Sequence, residues 1–462
     1  MIALLLLWPA LYNRFPLIFP DSGAYLAVAW GSFWTFDRSG FYGLFLKVFS
    51  ALPALWGLWA GLVAQAFAIG AVLLLAVRAL IPRSSPAVVC AIILLTTMTT
   101  SLPWHSAQLM PDAFTGPCIL LTWLAVSRDP DDSGAPSLWL GVLAAGLMHY
   151  THLGIVPVAA AAALIAQSLC AAPMRGVAKR AFVAAMVTVL IALGQFTANG
   201  LLLHRWSTTP AGPVFLFARL HEDGIVQPWL ARHCGSDGPV ELCNLAPSLP
   251  RDSQKLLWGQ KSPLDQLLWQ DFQKPSAQQL VGEMRTAAIG SIIEHPVAFT
   301  KIAAESTADQ LVHFAPLDDE CPDVCTSPSS AVYDRVRAMH PELLPEFLST
   351  RQARGTIPKH AIQAIVMPVQ ILSIVLLIPF LAFARLRQDG RALSLLMAVV
   401  AGLIANAALA GVLSDVHDRY QSRVVWLVPL VELIIAVSWL RRFGNPLIVK
   451  RIAGSAEVEE TL

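Results

Sequence analysis

The chain has 462 residues, 55% of them hydrophobic and only 14% charged, and a mean hydropathy of +0.58. That balance excludes an ordinary soluble domain and points to an integral membrane protein. A net charge of +1 offers no electrostatic footprint for nucleic acid or a strongly acidic partner, and the 14 Trp suit rings anchored at headgroup level.

A crossing needs roughly 20 apolar residues. Runs of that kind fall near 1–19, 52–77, 87–103, 112–127, 137–150, 153–172, 181–203, 361–384, 392–413 and 421–440. The expected fold class is an all-α polytopic membrane protein with about ten transmembrane helices and a helical, loop-rich external segment. Three parts follow: an N-terminal transmembrane module over 1–203, the external segment over 204–360, and C-terminal helices with a tail over 361–462.

The first run has no basic residue before it and is expected to be a retained helix rather than a signal peptide. It ends in Phe19-Pro20-Asp21-Ser22-Gly23-Ala24-Tyr25. A carboxylate at the end of an apolar helix is costly unless it has a task. Asp21 suits a helix N-cap, and equally a general base beside a dry cavity, with Tyr25 one turn on to orient it or stack on a substrate ring. Residues 22–50 read as an amphipathic segment lying on the outer surface.

A second acid follows two crossings later, in Leu109-Met110-Pro111-Asp112, with His105 in the same turn. Asp112 is again at a capping position, and that turn could hold a divalent cation or a phosphate-bearing head group. His149-Tyr150-Thr151-His152 then interrupts an apolar stretch, where polar backbone is tolerated only if buried in protein or lining a cavity. Both histidines are candidate ligands or structural hydrogen-bonders.

Arg78, Arg83, Arg128, Arg175, Lys179, Arg180, Arg385, Arg387, Arg391, Arg441, Arg442, Lys450 and Arg451 all fall on one side of a ten-helix chain. That side is expected to be cytoplasmic, with both termini there. The external segment carries Cys234, Cys243, Cys321 and Cys325, read as two pairs, Cys234–Cys243 and Cys321–Cys325, with a zinc site as rival. Its helical stretch from Ala277 to Phe314 should break at His295-Pro296. The last external loop, Asp415-Val416-His417-Asp418-Arg419-Tyr420-Gln421-Ser422-Arg423, sets two arginines one turn apart beside a tyrosine, which suits a phosphate on an isoprenoid tail. Glu432 is a single intramembrane acid. No Gly-rich phosphate loop, HExxH or nucleophile elbow occurs, so nucleotide-driven work is not expected.

With Asp21 just after the first helix and Asp112 in the second external loop, the chain resembles the GT-C superfamily of integral-membrane glycosyltransferases, such as protein O-mannosyltransferases and the lipid A aminoarabinose transferase. Several members carry paired acids in the first loop. This one reads Pro20-Asp21-Ser22, so the partner acid is absent or supplied elsewhere. The resemblance implies a polyprenyl-phosphate-linked sugar as donor, not a nucleotide sugar, and a hydroxyl acceptor on a lipid, glycan or protein at the outer face. It further implies an inverting transfer with Asp21 as base, and Arg419, Arg423 and His105 on the departing phosphate. Asp112 would hold a metal or the donor head group. The external cysteines suit a bacterial inner membrane with the site facing the periplasm, and a eukaryotic endomembrane would satisfy the same physics. A transporter or flippase, or a membrane scaffold in which the acids only cap helices, are the competing classes.

Overall fold

The structure, a computed structural model, describes every residue except 32, 130–131, 171–173, 236–238, 260–261, 270–271, 318–322, 329 and 444–462. Lys450, Arg451 and the Cys321–Cys325 pairing therefore lie outside the described residues.

Each apolar run coincides with a helix. In chain order these are α1 (Ile2–Asn13), α2 (Ser22–Trp30), α3 (Phe41–Lys47), α4 (Ala54–Leu80), α5 (Pro86–Thr99), α6 (Leu102–Ser106), α7 (Thr115–Ser127), α8 (Ala135–Met148), α9 (His152–Leu169) and α10 (Met174–Leu203). The 204–360 segment holds α11 (Gly212–Glu222), α12 (Val226–His233), α13 (Val240–Leu245), α14 (Ser253–Trp258), α15 (Pro275–Glu294), α16 (Pro296–Val312), α17 (Asp323–Thr326), α18 (Ala331–Met339) and α19 (Leu344–Leu348). The chain closes with α20 (Lys359–Leu386), α21 (Gly390–Leu413), α22 (Asp418–Val425) and α23 (Leu427–Phe443).

Among the described residues, six segments are long and apolar enough to cross a membrane: α4, α9, the Gly176–Leu203 part of α10, α20, α21 and the continuous Asp418–Arg442 stretch. The apolar helices α1, α5 and α8 are shorter. Large apolar side chains such as Phe67, Phe182, Val375 and Ile378 stay exposed on the long helices, as a lipid-facing surface requires. Inside, α9 runs along α21, and α7 packs against α4, α8, α9 and α21.

Helix ends follow local chemistry. Ser85 accepts the Val88 amide with Pro86 at the first position of α5, and Asp389 accepts the Ala392 amide at the start of α21. The α15–α16 break falls at His295-Pro296, where proline has no amide to continue the ladder. Gly116 on α7 meets the Trp426 ring so closely that an added Cβ would lie 2.3 Å from it. Gly116→Val is therefore expected to cost about 1–3 kcal/mol by overpacking, read as a lowered melting temperature in detergent.

The 22–50 segment is not one amphipathic surface element: its first helix is buried, and Leu44 and Val48 of its second half are exposed. Helix α2 (SGAYLAVAW) is apolar on all sides and is buried by α3 and α18, Asp37 and Arg38 sit in the turn between α2 and α3, and Lys47 ends α3 on the exposed side. The 204–360 segment is also divided. Residues of α11 to α15 form their own hydrophobic core around Phe217, Leu256 and Met284, whereas Val332, Val336 and Phe347 of α18 and α19 join the core of the membrane helices. A disulfide joins Cys234 to Cys243.

Candidate functional site

The two acid-bearing loops are tied together by backbone. After α1, Arg14 turns the chain through a left-handed conformation, φ 63°. Leu17 then forms an isolated parallel bridge with Gln108: the Leu17 amide donates to the Ala107 carbonyl and the Leu109 amide to the Leu17 carbonyl, both at 2.9 Å. Ser22 Oγ adds a bond to the Leu109 carbonyl at 3.0 Å. Gln65 of α4 donates to the Ser106 and Gln108 carbonyls at 3.0 and 2.9 Å while accepting from the Tyr42 hydroxyl at 2.7 Å. The Gln65 amide uses both its oxygen and its nitrogen in this buried crosslink, which fixes loop geometry in an apolar setting.

Asp21 precedes α2 at the capping position, yet its side chain makes no capping hydrogen bond. The carboxylate turns instead to two cations: Arg38 Nη1 lies 2.6 Å from Oδ1 and Arg419 Nη2 donates to Oδ2 at 3.0 Å. It remains a quarter exposed. Burial raises the Asp21 carboxyl, but Arg38 and then Arg419 outweigh it and hold it below the ordinary carboxylate range. Arg38 is seated by a second acid, Asp37, whose Oδ2 accepts from Nε at 3.0 Å and Nη2 at 2.5 Å. Asp37 thus brings a second carboxylate of the first loop to the same arginine as Asp21. Arg419 lies 3.9 Å from the Phe19 ring centroid and 4.8 Å from that of Tyr420. Its charge also acts on Asp112.

Asp112 pairs with Arg423, whose side chain is fully buried. Arg423 donates further to Asn406 Oδ1, from Nη2 at 2.8 Å and Nε at 3.2 Å, and reaches Thr151 Oγ1 at 3.4 Å. Burial raises the Asp112 carboxyl, and Arg423, Arg419 and His149 reverse that to a value well below the usual range. Two expectations change here. Arg423 is enclosed and committed to Asp112 and Asn406, so it is a structural cation and not a ligand for a lipid phosphate. Asp112 is likewise spent on Arg423, and among the described residues no three His, Cys, Asp or Glu side chains gather as a metal ion would need.

Other candidates also take defined places. Tyr25 is buried edge-on to Tyr42, with ring centroids 5.1 Å apart, and is closed to a substrate ring. His105 hydrogen-bonds Ser422 Oγ at 2.9 Å, and burial pushes it down to about 4, so it is neutral at pH 7 and supplies no charge to a leaving phosphate. His149 Nδ1 faces Thr151 Oγ1 at 2.8 Å, and burial keeps this imidazole neutral as well. His152 uses both nitrogens, on the Ala145 carbonyl at 2.7 Å and Thr115 Oγ1 at 3.1 Å, which is a structural role. Tyr420 puts its ring between Arg419 and Arg423 and its hydroxyl 3.3 Å from Arg419.

The 204–360 segment grips the loop that carries Arg419. Arg219 of α11 pairs with Asp415 at 3.2 Å and donates to Ser306 Oγ of α16 at 3.0 Å. Gln254 reaches Asp415 at 3.1 Å, Gln310 accepts the His417 amide at 3.0 Å and donates to its carbonyl at 2.8 Å, and Asp418 accepts the Ala315 amide at 2.7 Å. At the other end of the bundle, Arg442 pairs with Asp389, Arg441 reaches the Arg83 carbonyl and Ser438 the Leu80 carbonyl. Asp37, Arg38, Phe19 and Asn406 are the site residues that sequence reasoning missed. Asp37 and Arg38 fall within the 22–50 segment, whose sequence reads as a surface element.

Set against protein-family models, curated proteins and solved structures, the chain matches none.

Proposed function

We propose that the protein is an integral-membrane glycosyltransferase of the GT-C type, moving a sugar from a polyprenyl-phosphate donor to a hydroxyl on a lipid, glycan or protein, with inversion. One observation carries this reading: Asp21, a quarter exposed at the loop end of an apolar bundle, is not a helix cap and sits between two arginines. In that reading the ten apolar helical segments span the membrane, the basic end is cytoplasmic, and the site faces the periplasm of a bacterial inner membrane.

The acceptor oxygen attacks the anomeric carbon opposite the phosphate and forms the new C–O bond. Its proton passes to Asp21. The bond from that carbon to the donor phosphate oxygen breaks, and the electron pair stays on the phosphate, where Arg419 stabilises the growing charge. Binding and orientation supply the remainder.

Mass spectrometry of outer-surface lipids and glycans tests the proposal in cells carrying wild-type protein, Asp21→Asn or none. Loss of one hexose- or pentose-sized mass in both the deletion and the mutant, at equal protein level, supports it. A mutant profile identical to wild type, where the deletion differs, removes Asp21 as base. Arg219→Leu makes a further demand on the same assay. Losing the Arg219 ion pair leaves Asp415 held by Gln254 and loosens the Arg419 loop, so transfer is expected to fall about 10- to 100-fold while the protein still accumulates. An unchanged rate would deny the external module any part in shaping the site.

A further inference from the structure

Arg38 and Arg419 are each supported without Asp21. Arg38 is held by Asp37 through two hydrogen bonds, and Arg419 by the Phe19 and Tyr420 rings and the Tyr420 hydroxyl. Both converge on the one carboxylate of the site that is appreciably open: Asp21 is 25% exposed, against 13% for Asp37 and 5% for Asp112. Arg38 Nη1 and Arg419 Nη1 are both buried, and neither has a hydrogen-bond acceptor among the described residues, the first making only the close ion contact to Asp21. Two preset guanidinium groups with spare donors, closed by a small removable anion, form an exchangeable anion site.

We propose that the Asp21 carboxylate occupies the place of a phosphate, and that the phosphate of a prenyl-linked ligand displaces it from Arg38 and Arg419 when it binds. Resting on the transferase reading, this makes donor binding the event that frees the base. A carboxylate between two cations is a poor proton acceptor, and the same carboxylate beside a bound phosphate is a better one. Before binding, two arginines and the two acids Asp21 and Asp37 balance. Afterwards the phosphate takes the arginines, and Asp21 turns to the acceptor hydroxyl.

The internal competition has a signature. An anion that must first evict Asp21 binds with an apparent affinity reduced by the fraction of sites still closed, and neutralising Asp21 removes that reduction. We would measure, by isothermal titration of the full chain in detergent, the Kd for geranyl phosphate, with inorganic phosphate and geraniol as comparison ligands. Asp21→Asn is expected to bind geranyl phosphate about tenfold more tightly than wild type, equivalent to about 1.4 kcal/mol. Arg38→Gln and Arg419→Gln should bind it at least about tenfold more weakly. If Arg38→Gln fails to accumulate, Arg38→Lys keeps the charge but not the fork, and should weaken binding too.

Inorganic phosphate should rank the variants in the same order with lower affinity, and geraniol should ignore all of them. Asp21→Asn binding no tighter than wild type overturns the exchange, as does indifference to Arg38. Inorganic phosphate binding as tightly as geranyl phosphate overturns the lipid source. Tighter binding by Asp21→Asn in a protein whose deletion alters no surface sugar upholds the anion site and removes the transferase. Lost transfer without tighter binding does the reverse.

Discussion

Replacing Asp112 with Ala is expected to destabilise the protein by about 3–5 kcal/mol, because it leaves a buried guanidinium without its counter-charge. The Arg423 side chain is fully buried, and Asn406 would be its main remaining acceptor. A thermal melt of detergent-purified protein reads the loss directly. Changing both partners, Asp112→Leu with Arg423→Met, removes the uncompensated charge and should recover most of the stability that the single change loses. A single mutant melting within about a degree of wild type would mean that Arg423 finds other partners, and the pair would no longer be the structural lock of the site.

The same pair gives stability a pH dependence of known sign. The folded Asp112 carboxyl lies below its ordinary value of 3.8. Its contribution is therefore complete above that value and is lost as pH falls through the lower folded one. Asp112→Asn should flatten that part of the acid-unfolding curve.

These partners show what a single sequence can and cannot reveal. The apolar runs marked the helices because burial in lipid or in a bundle demands continuous hydrophobicity, and each run coincides with a helix. Asp21, Asp112, Arg419 and Arg423 stood out because charge beside such runs is costly. Their pairing was not legible. Asp21 meets Arg419 across 398 residues and Asp112 meets Arg423 across 311, and nothing local distinguishes those matches from the reverse. Arg38 was missed for a different reason. Charges among aromatics over 22–50 read as one amphipathic surface, whereas the chain folds an all-round apolar helix inward and keeps Asp37 and Arg38 in the turn that follows. A second carboxylate, Asp37, reaches Arg38 from sixteen positions after Asp21, and local motif reading has no means of seeing so distant a supplement.

Asp21→Asn should reduce transfer by about 10²–10⁴, the usual loss when a positioned base is removed. Its effect on stability should stay below about 1 kcal/mol, since a partly exposed pair is screened by water and an amide can still accept from Arg419. Shape of the pH profile then separates base from ornament. His105 is held to about 4 and burial pushes His149 well below the ordinary imidazole value, so neither gives kcat/KM a limb near 6.5. Its acid limb should appear only as pH falls through the lowered Asp21 value, beneath the ordinary 3.8. kcat reports the loaded enzyme, in which a bound phosphate replaces Asp21 on the arginines, and its acid limb should lie at higher pH than that of kcat/KM. Coincident limbs would mean that Asp21 keeps its arginines throughout the cycle. A limb near 6.5 in either profile would assign the proton to a histidine instead, and the carboxylate between two arginines would then be only a strut.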